Sequence, residues 1–168
     1  MSRPASTYRH NRRVSKSKPK KAKKNPQTGA PHAPRRPAAV NPTAPCPCGR
    51  AEAYRDCCGA CHEGRVSAPT AERLMRSRYS AFAVGDTAYL LRTWHPATRP
   101  ATLDLEPAQR WTGLDILGTS GGTAFHDEGT VEFRAHYSLH GHTGSQYEHS
   151  RFVREQGEWL YVDALSGV

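Results

Sequence analysis

The stretch that decides how this chain folds reads Cys46-Pro47-Cys48-Gly49, and Cys57-Cys58-Gly59 follows it after a short gap. This stretch separates a lysine- and proline-rich segment from a sequence able to fold. Thiolates are among the ligands that zinc prefers, and a turn at the first motif would let both of its cysteines face one ion. Adjacent cysteines do not easily form a disulfide with each other, because the small ring distorts the peptide bond between them. We therefore interpret the four cysteines as the ligands of one zinc ion: Cys46, Cys48, Cys57 and Cys58.

Two further residues stand close enough in sequence to serve as ligands. By spacing alone, either Cys61 or His62 could replace Cys58 as the fourth ligand. Otherwise we expect Cys61 to be a free thiol and His62 to be an exposed loop residue. A site filled by four thiolates leaves no position for water or substrate, so the predicted zinc is structural rather than catalytic.

The segment 1–44 has the composition of a disordered arm. It holds half of the 24 lysines and arginines of the chain, no aspartate or glutamate, many prolines and few large apolar residues. Such a segment cannot bury enough surface to offset the entropy of ordering. We consider two roles for it, a salt-dependent tether to RNA, the ribosome or another polyanion, and a solubilising tail. Tyr8 is its one aromatic residue, so base stacking is not expected.

Residues 45–168 differ in charge from the arm, because their acidic residues outnumber the basic ones by 15 to 12. Their overall charge gives no reason to expect nucleic-acid binding. No apolar run is long enough to predict a membrane-spanning helix. The N-terminus lacks the apolar core of a signal peptide, so we expect a cytoplasmic protein. In a reducing cytosol, clustered cysteines favour metal binding over disulfides.

Residues 65–96 have the pattern of two helices. Thr70 is a suitable N-cap, and Gly85-Asp86 interrupts the pattern. A second short helix is predicted over Thr87–Trp94, and Pro96 ends it. The apolar side chains of the first helix recur at spacings of three and four residues: Leu74, Met75, Tyr79 and Phe82.

The remaining sequence predicts an antiparallel sheet. Apolar and polar residues alternate over Val131–Leu139, which is typical of a half-buried strand. We expect a hairpin loop over His140–Gly144, a partner strand over Gln146–Arg154 and a last strand over Trp159–Val162. A short helix over Glu106–Trp111 is a further expectation. Helices first and strands afterwards favour an α+β fold.

The cysteine pattern resembles the SEC-C motif, a small zinc-binding module also found at the C-terminal end of the SecA protein-export ATPase, where it contacts the SecB chaperone. The resemblance favours Cys58 as fourth ligand, and Tyr54 stands where the motif keeps an aromatic residue. It implies a protein partner for the module. Arg50, Ala51 and Glu52 depart from the glycine, serine and lysine that are usual there.

A wider resemblance covers most of residues 45–164. Ala71–Phe82, Thr93–Pro96 and Trp159–Asp163 resemble the YchJ family of bacterial proteins. The resemblance implies a SEC-C-like module over residues 45–64, joined to a nuclear transport factor 2-like domain over residues 65–168. Such a domain packs helices on a curved antiparallel sheet. The resemblance supplies no activity.

Two functions are consistent with these features. The first is a non-enzymatic, zinc-stabilised interaction protein, and the sequence favours it. The alternative is a small-molecule binder or a lyase- or isomerase-type enzyme, because the fold resembled often encloses a pocket. Its catalytic candidates are Glu148, Asp163 and His95, and its pocket candidates are Arg78, Tyr79 and Trp94. We expect Arg76 and Arg78 to pair structurally with Glu148 or Asp163. The sequence does not predict an oligomeric state.

Overall fold

A computed structural model describes residues 40–165. The predicted disordered arm lies outside the described residues as far as Ala39. The helices are α1 (Cys58–His62), α2 (Ala71–Val84) and α3 (Thr87–Arg92), and the strands are β1 (Gln109–Gly121), β2 (Glu128–Leu139), β3 (His142–Glu155) and β4 (Glu158–Ala164). A single turn of 3₁₀ helix, Tyr54–Asp56, precedes α1. The α+β fold is confirmed.

Helix α2 begins and ends at the residues that the sequence indicates. Thr70 caps its start, where the Oγ1 atom accepts a hydrogen bond from the backbone N–H of Arg73 at 3.2 Å. Gly85 ends it with φ of 78°, a left-handed conformation that glycine adopts at no steric cost. Asp86 then caps α3 by accepting from the N–H of Tyr89 at 2.9 Å. Helix α3 ends at Arg92, two residues before the predicted end.

The four strands form one antiparallel sheet in the order β1-β2-β3-β4. The predicted hairpin connects β2 and β3, but its loop is shorter than the predicted His140–Gly144, because β3 already begins at His142 and only two residues separate it from β2. His140 and Gly141 have φ of 49° and 82°. Positive φ at both central residues is the geometry of a two-residue turn that matches the twist of the strands.

The helix expected over Glu106–Trp111 is also wrong, since Trp111 lies in β1 opposite Tyr137 of β2. Its ring packs against those of Tyr79 and Phe82, with centroid distances of 5.9 Å to both. Packing against α2 together with ladder pairing outweighs the weak helical tendency of this short segment.

One core lies between the helices and one face of the sheet. Trp159 links β4 to the segment before α2, because its Nε1–H donates to the carbonyl of Pro69 at 3.3 Å. No helix within residues 40–165 is long and apolar enough to cross a membrane. The largest core side chains come from α2, α3 and three of the strands: Leu74, Met75, Tyr79, Tyr89, Leu90, Val131, Phe133, Phe152 and Trp159.

Candidate metal centre

Backbone hydrogen bonds set the shape of the cysteine module. The N–H of Gly49 donates to the carbonyl of Cys46 at 3.1 Å, and Gly49 has φ of 81°. This turn places the first two cysteines on one side of the chain. A bridge between Pro45 and Ala53 then returns the backbone, so that the turn at Tyr54–Asp56 brings in the second pair of cysteines.

The four predicted ligands meet in one buried cluster. Their Sγ atoms all lie within 4.8 Å of one another, and each residue is at most 4% exposed. Tetrahedral zinc–thiolate bonds of about 2.3 Å place neighbouring sulfurs about 3.8 Å apart. The Sγ atoms of Cys48 and Cys57 are 3.7 Å apart. The donor set and its spacing therefore fit a tetrahedral ion with four thiolate ligands.

The electrostatics of the cluster favour a cation. Hydrogen bonds from the thiols of Cys48 and Cys58 hold the pKa of Cys46 far below its ordinary value. The same contact with Cys46 raises the pKa of Cys48 to about 12, and contacts with Cys46 and Cys48 raise that of Cys58 further. One thiolate therefore opposes ionisation of its neighbours. A divalent cation at the centre removes this opposition and allows all four to bind as thiolates.

Cys61 and His62 do not belong to the cluster. Cys61 lies in the core of the domain, and its pKa is raised by burial. The expectation of an exposed His62 is wrong, because this residue is 8% exposed and both ring nitrogens are hydrogen-bonded. Its Nε2–H donates to the carbonyl of Ser77 at 2.8 Å, and its Nδ1 accepts from the hydroxyl of Tyr54 at 2.7 Å. His62 thus ties the module to α2.

One arginine from α2 and one from α3 donate hydrogen bonds to the backbone of the module. Arg76 Nη1 donates to the carbonyl of Cys48 at 3.0 Å. Arg92 Nη2 donates to the carbonyls of Cys61 and His62 at 3.0 and 2.6 Å. The module is therefore joined to the domain by polar contacts as well as by packing.

Helix α2 also reaches two of the sulfurs. Arg73 Nη1 lies 3.5 Å from Cys57 Sγ, and Ser80 Oγ lies 3.7 Å from Cys46 Sγ. Sequence reasoning missed both residues. The signal for them was a polar stripe, because Arg73, Arg76, Ser77 and Ser80 recur at helical spacing, but such a stripe usually faces solvent.

Two of the three predicted pocket residues, Arg78 and Tyr79, are buried, and Trp94 is half-buried. Arg78 is 3% exposed, and its Nη1 donates to the carbonyl of Leu90 at 2.7 Å. Its guanidinium carbon lies 5.2 Å from the ring centroid of Trp94 and 4.6 Å from that of Tyr161. Tyr79 packs against a different ring, that of Trp111. The structure therefore brings Arg78 and Trp94 together and gives Tyr79 a separate aromatic neighbour.

The three catalytic candidates have three separate sets of partners. Glu148 lies opposite Phe133, on the face of the sheet that carries the core, and accepts hydrogen bonds from Ser150 Oγ and Tyr161 O–H at 2.6 and 3.1 Å. Asp163 is paired with Arg151, at 3.1 and 3.0 Å. His95 Nε2 lies 3.2 Å from a carboxylate oxygen of Glu155.

The expected pairing of these acids with arginines of α2 is wrong for Arg76 and for Asp163. Arg76 Nε donates to Glu72, one helical turn away, at 2.7 Å. Asp163 takes its arginine, Arg151, from the neighbouring strand β3. Both ion pairs are formed between near neighbours on the same helix or sheet.

Family models match most of the residues that the structure describes. The model described as YchJ, middle NTF2-like domain, matches residues 70–164. The chain belongs to the YchJ family. A SEC-C motif matches residues 43–60, which include all four clustered cysteines of this YchJ-family chain. The expected family and the order of its two parts are confirmed.

Similar proteins support the same assignment. A UPF0225 protein of Streptomyces coelicolor is 62% identical over 122 residues, which are 73% of this chain and 95% of that relative. A UPF0225 protein of Ralstonia nicotianae is 50% identical over 134 residues, with 73% and 91% covered.

Two solved structures resemble this YchJ-family chain. The solution structure of a SEC-C motif containing protein from Rhodopseudomonas palustris matches with a TM-score of 0.65 and 32% identity, over 74% of this chain and 100% of that one. The crystal structure of a SEC-C motif containing protein from Psychrobacter arcticus matches with a TM-score of 0.61 and 27% identity, over 76% and 86%. Both proteins are described as containing a SEC-C motif, in agreement with the SEC-C match of this chain.

Proposed function

We propose that this chain is a cytoplasmic, non-enzymatic interaction protein in which one structural zinc ion holds the SEC-C module on the domain. The observation that carries the proposal is the buried cluster of four Sγ atoms within 4.8 Å of one another. Zinc with four protein thiolates has no open position for water or substrate, so its role is to fold the chain around it. The reducing cytosol keeps thiols available for such a site.

The module depends on the ion for its structure. Among the described residues, Tyr54 is the one apolar side chain that packs against the four cysteines. A segment with so little apolar surface gains most of its folding free energy from the metal, so that metal binding and folding are coupled. The contacts of Arg76, Arg92 and His62 then transmit that stability to α2 and α3.

The zinc proposal is tested on the full chain by metal analysis and by urea unfolding with and without a chelator. We expect about one zinc ion per chain, and a Cys57→Ser variant that loses the ion and unfolds at lower urea. Cys61→Ser is the matched control, because Cys61 is buried nearby but outside the cluster. Wild-type protein without zinc, or equal zinc in the two variants, would contradict the proposal.

The arm supplies the second part of the proposal, a tether to RNA, the ribosome or another polyanion. Its support is the separation of charge, since residues 1–44 hold twelve basic and no acidic residues. A cationic segment binds phosphates without sequence preference, and it releases counterions as it does so. The acidic excess in residues 45–168 leaves this binding to the arm.

The tether is tested by deleting residues 1–39 and measuring the binding of a labelled single-stranded RNA by fluorescence anisotropy. The truncation keeps Pro42 and Ala44, whose carbonyls accept hydrogen bonds from the N–H groups of Arg55 and Tyr54. We expect the full chain to lose affinity steeply as salt rises and the truncated chain to bind weakly at every salt concentration. Undiminished binding by the truncated chain would show that the arm is not the tether.

A protein partner of the module is the third part. One side of the module faces α2, and an exposed ion pair of Arg50 and Glu52, 2.9 Å apart, marks a part that α2 leaves uncovered. We propose that a partner contacts this exposed part. A double charge reversal, Arg50→Glu with Glu52→Arg, keeps the pair and reverses its polarity, so cross-linking in cells should lose the partner while zinc content stays unchanged. An unchanged cross-linking pattern would exclude this surface.

A further inference from the structure

Helix α2 presents two polar side chains to the sulfur cluster from one face. Arg73 Nη1 lies 3.5 Å from Cys57 Sγ, and Ser80 Oγ lies 3.7 Å from Cys46 Sγ. The two residues are seven positions apart, which is two helical turns, and they therefore contact two different ligands of the cluster. Ser80 is fully buried, so its hydroxyl has no access to bulk water.

The contacts of Arg73 and Ser80 are made to sulfur atoms that would carry negative charge in a metal-bound site. Four thiolates around a divalent cation carry a net charge of about −2, and burial of such charge is unfavourable unless it is hydrogen-bonded or paired. Arg73 brings a positive charge to one sulfur, and Ser80 brings an O–H donor to another. Hydrogen bonds to metal ligands orient them and tune the metal, and they are strongest when one partner is charged.

The neighbouring arginines provide a contrast within the same interface. Arg76 and Arg92 also bind the module, but they do so through the carbonyl oxygens of Cys48, Cys61 and His62. They fix the backbone of the module without touching a sulfur. Loss of Arg76 therefore reports on docking, whereas loss of Arg73 reports on docking and on the thiolate.

We propose that Arg73 and Ser80 are positioning residues of the metal centre, so that a helix of the domain completes a site whose ligands all come from the SEC-C module. The inference rests on the proposed zinc site. It means that metal affinity is a property of module and domain together. Arg73 offsets the negative charge at Cys57, and Ser80 holds the Cys46 thiolate in one orientation.

The test compares Arg73→Gln with Arg76→Gln in the full chain, using competition with a chromophoric chelator to measure zinc affinity. We expect Arg73→Gln to lose about 10–100-fold in affinity and Arg76→Gln to lose less than about threefold. Ser80→Ala, a small change at a buried position, should lose affinity in the same direction as Arg73→Gln.

A spectroscopic measurement separates an effect on sulfur from a general loosening. With Co²⁺ in place of zinc, the thiolate-to-metal charge-transfer band should move to longer wavelength in Arg73→Gln and Ser80→Ala, because a thiolate that loses a hydrogen bond is a better electron donor. The band should stay in place in Arg76→Gln. Circular dichroism of each metal-loaded variant checks its fold.

The outcomes distinguish the inference from the zinc proposal. If wild-type protein takes up neither zinc nor cobalt, both fail. If wild type binds metal and Arg73→Gln matches Arg76→Gln in affinity and in band position, the inference fails and the zinc proposal stands. If Arg73→Gln does not fold, Ser80→Ala decides, and an unmoved band in that variant overturns the inference.

Discussion

The substitution His62→Ala tests the attachment of the module to the domain. It removes the bond from Nε2–H to the carbonyl of Ser77 and the bond from the hydroxyl of Tyr54 to Nδ1, at 2.8 and 2.7 Å. It also removes the contact between the imidazole and the ring of Tyr89, whose centroids are 4.4 Å apart. We expect the free energy of unfolding to fall, while the four thiols remain in place to bind metal.

The size of the effect follows from these contacts. Each lost hydrogen bond contributes about 1 kcal/mol net, and loss of the ring contact contributes about 1 kcal/mol more. The total is about 3 kcal/mol, a large fraction of the roughly 5–15 kcal/mol that stabilises an ordinary domain. With a urea m-value of about 1.5 kcal/mol/M, the midpoint moves by about 2 M.

Urea unfolding at saturating zinc, followed by tryptophan fluorescence, measures this loss. Tyr54→Phe is the control, because it removes one of the two bonds and should lower stability by about 1 kcal/mol. The double variant should show a coupling of about 1 kcal/mol between the two residues. A loss below about 1 kcal/mol for His62→Ala, or no coupling, would refute the assigned role of His62.

Three further predictions concern glycine packing, pH dependence and a buried arginine. Gly129→Ala should lower the free energy of unfolding by about 3 kcal/mol, because the new Cβ would overlap the Cα of Gly122. Gly141→Ala is the control and should lower it by about 1 kcal/mol, because its Cβ meets open space and only the φ of 82° is unfavourable; equal losses of the two variants in urea unfolding would contradict this. Burial lowers the pKa of His62 in the folded chain, so the unfolded chain takes up the proton at higher pH, and the free energy of unfolding should fall as pH drops below about 6.5. Urea unfolding of His62→Gln at saturating zinc should show a smaller fall, and the same pH dependence as wild type would exclude His62 as the cause. Arg78→Lys should lower the free energy of unfolding by about 2 kcal/mol, because an ammonium cannot stack on the rings of Trp94 and Tyr161 as a planar guanidinium does. A urea midpoint equal to that of wild type would show that the stacking contributes nothing to stability.

Signals within one element were sufficient for most of the secondary structure. Thr70 and Gly85 delimit α2 because capping depends on a few adjacent residues. The alternation over Val131–Leu139 predicts β2 because side chains of a strand point to opposite faces in turn. The ligand set was also local, since the spacing of the four cysteines could be compared with a known motif.

The face of the sheet that Asp163 occupies depends on a β-bulge that no local sequence signal indicates. Phe152 pairs with Tyr161, and continuation of that register would place Asp163 opposite Ser150, on the buried face. A register shift between Arg151 and Phe152 places Asp163 opposite Arg151 instead. One extra residue thus moves the carboxylate of Asp163 to the other side of the sheet, while Glu148 lies on the side that carries the core.

The contacts around the metal centre were hidden for a different reason. His62 is polar and follows a short cysteine-rich segment, so its sequence context is that of an exposed residue. Its partner Ser77 lies fifteen residues further on, in another helix. Arg73 and Ser80 likewise became recognisable only once α2 and the module were placed side by side.

The position of the metal cluster near the start of the described fold sets an order of assembly. Its ligands span Cys46–Cys58, whereas the bond between Trp159 and Pro69 joins residues ninety positions apart. Contacts between near neighbours close quickly, and distant ones wait for the rest of the chain. During synthesis the four thiols therefore emerge before β4 exists, so the proposed zinc ion can begin to bind while the long-range contacts of the sheet are still missing. Under this proposal, a shortage of zinc would impair folding at an early step.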